Sequence, residues 1–140
     1  MNQQLEINSC FSQENFCKQI HYSPDGSMLV ASTEEGDCFC FENKTNSQPT
    51  SIHDIERISL PRGEPIYDCK WYPFMSAQDP STCCFITTCK DHPIQMWSAS
   101  ASLRCTYKGH NELDELDSPY SLTFNLHGSK IYAGSNRMIR

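Results

Sequence analysis

The side chains with most chemistry to offer are nine cysteines and five histidines in a chain of 140 residues. Cys83, Cys84, Cys89 and His92 fall close together and raise the question of zinc. Structural zinc wants four ligands converging tetrahedrally, commonly from C-x₂₋₄-C knuckles carried on turns. Cys83 and Cys84 are adjacent in a β-prone run, so they point to opposite faces and do not meet at one ion. Buried thiols account for the group better, because free cysteine packs as a small apolar residue. The cysteine count is odd, and Cys38, Cys40, Cys69, Cys83, Cys84 and Cys105 all sit in strand-like runs. That usage is unlike a secreted disulfide scaffold and points to a reducing compartment, cytosol or nucleus. The Asn43-Lys44-Thr45 sequon is then idle. Neither a metal site nor a cofactor is expected.

Catalytic signatures are equally sparse. There is no GxSxG elbow, no HExxH and no Walker-type glycine loop. Asp114, Glu115 and Asp117 crowd together, but on a short connection without a companion base. Nine cysteines and five histidines allow so many Cys-His pairings that none is singled out. The expectation is a protein that is not an enzyme. With 11 Lys+Arg against 17 Asp+Glu, the formal net charge is −6, so no overall basic footprint marks nucleic-acid binding, although a local patch can differ in sign from the whole. No secretory leader opens the sequence and no apolar run is long enough to span a bilayer, so no membrane association is expected.

The elements that must carry these groups are short and β-prone. Residues 66–72, 83–88, 94–97 and 103–107 form four such runs, separated by turn residues and closed by Gly109-His110. Their length and spacing predict a four-stranded antiparallel meander. The same order appears upstream. Runs at 16–22, 27–32, 37–41 and 55–60 are joined by Ser23-Pro24-Asp25-Gly26, a strong turn signal, and by Glu34-Glu35-Gly36. Downstream, runs at 120–124 and 130–134 flank Asn125-Leu126-His127-Gly128, and 137–140 begins a third.

These units align. Tyr22, Trp71 and Phe124 each close a first strand, 49 and 53 residues apart. Phe41 and Trp97 close third strands, each 9 residues beyond the end of the second (Ser32 and Thr88). The equivalent aromatic of the third unit falls just past Arg140. Four-stranded repeats of this length predict propeller blades. The expected fold is all-β: a partial β-propeller of about three four-stranded antiparallel blades, the last incomplete. Residues 1–15 form a polar lead-in and 16–140 the incomplete propeller, with blade one at 16–60, blade two at 63–108 and partial blade three at 109–140. Since closure protects sheet edges, the isolated chain is expected to aggregate or stay partly unfolded, with the remaining blades C-terminal to it.

Gly109-His110, the Asp91 turn and Trp97, with Ser98 in place of the Asp of "WD", resemble a WD40 repeat. That resemblance implies a structural hydrogen-bonded network in which Thr88, Trp97, Asp91 and His110 take part. The segments ENFCKQIHYSPDGS, IYDCKWYPFMSAQDPSTCCF, HPIQMW and HNELDEL followed by SLTF resemble the telomerase Cajal body protein family more closely, over residues 14–140 and as its N-terminal blades only. The resemblance implies an RNA-binding scaffold. It would recognise small Cajal-body RNAs and telomerase RNA, join telomerase ribonucleoprotein components and direct the particle to Cajal bodies and telomeres. It implies residence in the nucleus and Cajal body, with some protein in the cytoplasm. The alternative is a WD-repeat scaffold that binds other proteins through its propeller faces without touching RNA.

RNA loops are read by stacking on aromatic or Arg planes and by base-edge and phosphate contacts. In a propeller the turns between second and third strands share one face with the connections between blades. Arg62, Lys90, Lys108 and Arg137 are placed there as candidate phosphate contacts, with His92 and His110 nearby. Glu34, Glu35, Asp37, Glu64, Asp91, Glu112, Asp114, Glu115 and Asp117 share that face, so acid outnumbers base, and solvated surface charge competes with the functional reading. The 110–117 connection reads as one helical turn with Leu113 and Leu116 packed into the core, or as a contact for a basic partner.

Overall fold

The computed structural model describes residues 14–43, 56–59, 64–110, 113 and 116–140. They form eleven strands: β1 (Cys17–Tyr22), β2 (Met28–Thr33), β3 (Asp37–Glu42), β4 (Glu56–Ser59), β5 (Ile66–Trp71), β6 (Cys84–Cys89), β7 (Ile94–Ser98), β8 (Leu103–Tyr107), β9 (Ser121–Phe124), β10 (Ile131–Ser135) and β11 (Met138–Ile139). Every pairing is antiparallel and follows chain order. Sheet one runs β1-β2-β3-β4, sheet two β5-β6-β7-β8 and sheet three β9-β10-β11. The fold is all-β, a partial propeller of WD40 type with two four-stranded blades and one of three strands. No helix among the described residues is long and apolar enough to cross a membrane.

Sheet two lies between the other two, and its burial pattern shows it. On a half-exposed strand, alternation would leave Asp68 and Lys70 in water and bury Tyr67, Cys69 and Trp71. Instead Ile66, Asp68, Cys69 and Trp71 are all buried, because β5 meets β1 on one side and β9 on the other. A bulge between Ile66 and Asp68 shifts the alternation. Val30, Cys38, Cys40, Ile58, Cys69, Trp71, Phe85 and Cys89 fill the space between sheets one and two. Ile86, Ile94 and Leu122 fill that between sheets two and three, with Met96, Phe124, Ile131 and Ala133 packed against them.

Two glycines sit where backbones come close. Gly36, at φ +88, lies in the β2–β3 turn, and a Cβ there would run into the Glu64 backbone carbonyl. At Gly128, φ +66, a Cβ would meet Tyr72 Cε2 at 2.6 Å, so the Tyr72 ring lies on bare backbone of the β9–β10 turn. The Ser-Pro-Asp-Gly turn does more than reverse the chain. Asp25 accepts from Ser23 Oγ (2.7 Å) and Ser27 N (3.0 Å), then reaches Ala77 N (2.7 Å) in the long β5–β6 connection. That connection holds a 3₁₀ turn (Pro80–Thr82) capped by Asp79, and Arg104 donates to the carbonyls of Pro80 and Ser81.

Two expectations are corrected. Leu113 and Leu116 do not tuck into the core: they are 78% and 38% exposed, and Leu116 forms an extended bridge with His110. Asp37 is buried and is not a surface charge. Its carboxylate accepts from Asn15 Nδ2 (3.3 Å), and Asn15 Oδ1 accepts from Glu35 N (3.2 Å).

Candidate nucleic-acid interface

Lys90 and Asp91 occupy the β6–β7 turn, where Asp91 takes φ 57 and His92 Nδ1 donates to the Lys90 carbonyl at 2.8 Å. Lys108 follows β8 at the same end of sheet two, because Ile94 at the start of β7 pairs with Tyr107. Arg137, at φ 66, forms the β10–β11 turn at the corresponding end of sheet three. All three cations are exposed. Arg62 lies outside the described residues, as do Glu112, Asp114 and Glu115. Of the acids assigned to that face, Glu34 is paired with Lys18 (3.0 Å) and Asp117 with Arg140 (3.6 Å). Each pair offsets its own charge locally and leaves Lys90, Lys108 and Arg137 in no ion pair among the described residues.

The network residues fall differently from expectation. Trp97 Nε1 donates to Thr87 Oγ1 (3.2 Å), not to Thr88. Side chains alternate along a strand, and Trp97 stands opposite Phe85, so the residue within its reach on that face is Thr87. Thr88 faces the other way and donates to the Pro119 carbonyl (2.7 Å), tying sheet two to the start of sheet three. His110 is exposed; beside it, Asp117 N donates to the Gly109 carbonyl (2.8 Å). Among the described residues no three Cys, His, Asp or Glu side chains gather as a metal site.

A second polar tie between blades had no place among the candidates. Asp68 Oδ2 accepts from Leu122 N (2.8 Å), and Oδ1 accepts from Cys69 N (2.9 Å) and pairs with Lys70 (3.2 Å). One repeat earlier, Gln19 Nε2 donates to the Tyr67 carbonyl (2.8 Å). Gln19, Asp68 and Ser121 each stand three residues before the aromatic marker. A polar residue recurring there is the signal that would have found the tie. His21 sits at the same junction, its carbonyl accepting from Trp71 Nε1 (3.0 Å). Burial, then the Lys70 charge, hold the His21 imidazole below its ordinary pKa of 6.5, against the pull of Asp68.

No protein-family model matches the chain. Among curated proteins it is 34% identical over 136 residues to "Telomerase Cajal body protein 1 homolog" of Drosophila melanogaster, covering 91% of this chain and 25% of that protein. It is 31% identical over 137 residues to human "Telomerase Cajal body protein 1", covering 91% and 24%. Over nearly its whole length the chain is similar to the telomerase Cajal body proteins. It spans about a quarter of the length of these relatives. A weaker match, 23% over 132 residues, is to "Guanine nucleotide-binding protein negative regulator 1" of Schizosaccharomyces pombe.

Proposed function

We propose that the chain is part of an RNA-binding scaffold that serves telomerase and Cajal bodies. The observation that carries this reading is the 34% identity, over 91% of the chain, to a protein named for both. On this reading it binds small Cajal-body RNAs and telomerase RNA, joins telomerase ribonucleoprotein components and accompanies them to Cajal bodies and telomeres. It resides in the nucleus, with a fraction in the cytoplasm, and performs no covalent chemistry.

Lys90, Lys108 and Arg137, with Arg62, are the proposed phosphate contacts. Cations on separate turns track a backbone without reading its bases, so they set affinity and salt dependence more than sequence choice. Ultraviolet crosslinking of the protein in cells, followed by sequencing of the bound RNA, tests the reading: enrichment of small Cajal-body RNAs is expected, and their absence defeats it.

The second reading, a scaffold for proteins without RNA contact, draws on the net charge of −6. Recovery of protein partners with no crosslinked RNA would favour it.

A further inference from the structure

The inner strands of the three sheets share a bulge at one place in the repeat. In β1 the register slips between Cys17 and Gln19, and in β5 between Ile66 and Asp68, so Lys18 and Tyr67 are the extra residues. In β9 Ser121 stands opposite Gly134, yet Tyr120 N donates to the Gly134 carbonyl (2.8 Å), which again sets two residues against one. Lys18, Tyr67 and Tyr120 each stand four residues before the aromatic marker of their strand. A bulge leaves its extra residue out of the ladder and re-aims its side chain.

The re-aimed residues of sheets two and three meet. The rings of Tyr67 and Tyr120 have centroids 5.2 Å apart and are tilted by 42°. Tyr120 is 59% exposed and Tyr67 half-buried. The backbone beneath the pair is fixed from both sides. The Tyr67 carbonyl accepts from Gln19 Nε2 of sheet one (2.8 Å), and Asp68 beside it accepts from Leu122 N of sheet three (2.8 Å).

Cations stand just outside the pair. Ile66 pairs with Cys89, and Lys90 is the next residue, in the β6–β7 turn. Ser121 pairs with Gly134, and Arg137 follows in the β10–β11 turn. Neighbouring strands lie about 5 Å apart, so the tyrosines on the inner strands and the cations on the turns share one end of their sheets. Lys18, the third residue of the row, is held by Glu34 (3.0 Å), whereas Lys90 and Arg137 are in no ion pair among the described residues. Glu64 and Asp91 at the same end weaken any purely electrostatic hold on a polyanion, which leaves stacking to supply affinity.

We propose that Tyr67 and Tyr120 form the base-stacking platform of the RNA face: an unpaired base of single-stranded RNA stacks on this pair while the adjoining phosphates meet Lys90 and Arg137. The proposal rests on the RNA-binding reading above and adds what the turn cations lack, a group that holds bases. Every base has a π-face, so such a platform grips single strands with little regard to sequence. Proline-rich peptides also dock on aromatic surfaces, but they bring no negative charge to Lys90 and Arg137. A nucleotide uses both parts of the site.

Binding of an oligouridine to the 140-residue chain is compared with that of an abasic strand of equal phosphate count, each over a range of salt concentrations. Oligouridine is expected to bind more tightly than the abasic strand. Tyr120→Ala is expected to weaken oligouridine binding by about 5- to 100-fold and to leave abasic binding unchanged. Its salt slope should stay the same, because no phosphate contact is lost. That unchanged slope also separates loss of stacking from loss of fold. Tyr120→Phe keeps the ring and is expected to bind as the natural chain does. The platform is overturned if the two strands bind alike, if Tyr120→Ala holds oligouridine as tightly as the natural chain, or if a proline-rich peptide displaces oligouridine. Each of these leaves the turn cations as phosphate contacts, whereas failure of both strands to bind would overturn the RNA reading as well.

Discussion

The Asp68 carboxylate accepts a hydrogen bond from the backbone N–H of Leu122, 2.8 Å away and 54 residues on in sequence. It thereby locks the inner strand of sheet two to that of sheet three. The strand is sandwiched between its neighbours, and its carboxylate serves as a clamp. Replacing Asp68 by alanine leaves a buried N–H without its partner. The expected cost is about 1–3 kcal/mol, read as a lower urea midpoint and as faster exchange at Leu122, while Asp68→Asn, which keeps an acceptor oxygen, loses less.

His21 makes the junction of sheets one and two sensitive to acid. Its folded-state pKa lies below the free value of 6.5, chiefly through burial. The unfolded chain therefore binds this proton more readily than the folded one, so the contribution of His21 to stability is complete above pH 6.5 and is lost as pH falls toward and through the folded value. Urea midpoints at pH 7.5 and 5 should differ more in the natural chain than in His21→Asn. Equal differences would remove His21 as the cause.

The thiols between sheets one and two should be silent until those sheets part. Burial, then the nearby Cys69 and Cys40 groups, raise Cys38 well above the ordinary value, while burial and the neighbouring Asp68 push Cys69 up to about 12. Burial with Glu64 and Asp91 lifts Cys89 to about 11. The thiolate is the reactive form. Iodoacetamide labelling read by peptide mass should therefore reach half-buried Cys105 at least ~10-fold sooner than Cys38 or Cys69. Urea should abolish the difference.

The two outward sheet faces should drive association. Ile20 (57% exposed) and Tyr22 (64%) occupy positions whose repeat equivalents, Cys69 and Trp71, are buried by the preceding sheet. On sheet three, Tyr132 and Ile139 are likewise open. Exposed apolar sheet surface is an aggregation hazard. Sedimentation velocity should show concentration-dependent growth in mass, reduced by Ile20→Lys combined with Ile139→Lys. A monomer at all concentrations would contradict this.

If the turn cations hold RNA, each phosphate contact contributes about −0.7 to the slope of log K against log salt for a single strand. Lys90→Ala, Lys108→Ala and Arg137→Ala should each flatten the slope by roughly that amount. A slope unchanged in all three would place the RNA surface elsewhere.

Much of this fold is written in short-range chemistry. The Ser-Pro-Asp-Gly turn, the β-prone runs and the recurring Tyr22, Trp71 and Phe124 are set by backbone preference and strand period, which act over a few residues and survive in one dimension. They place the strands within a residue or two of their observed bounds. What depends on the third dimension could not be read that way. Whether a strand has one buried face or two depends on which sheet lies beside it, so strand alternation alone does not show that Asp68 is buried and serves as a clamp. The choice of Thr87 over Thr88 as the partner of Trp97 follows from the pairing of Phe85 with Trp97, a register fixed by the whole sheet. The same holds for the candidate sites. Lys90, Lys108 and Arg137 are visible as turn residues, but the pairing of Tyr67 with Tyr120 exists only because sheets two and three meet. Sequence determined the strands; packing decided which faces were covered.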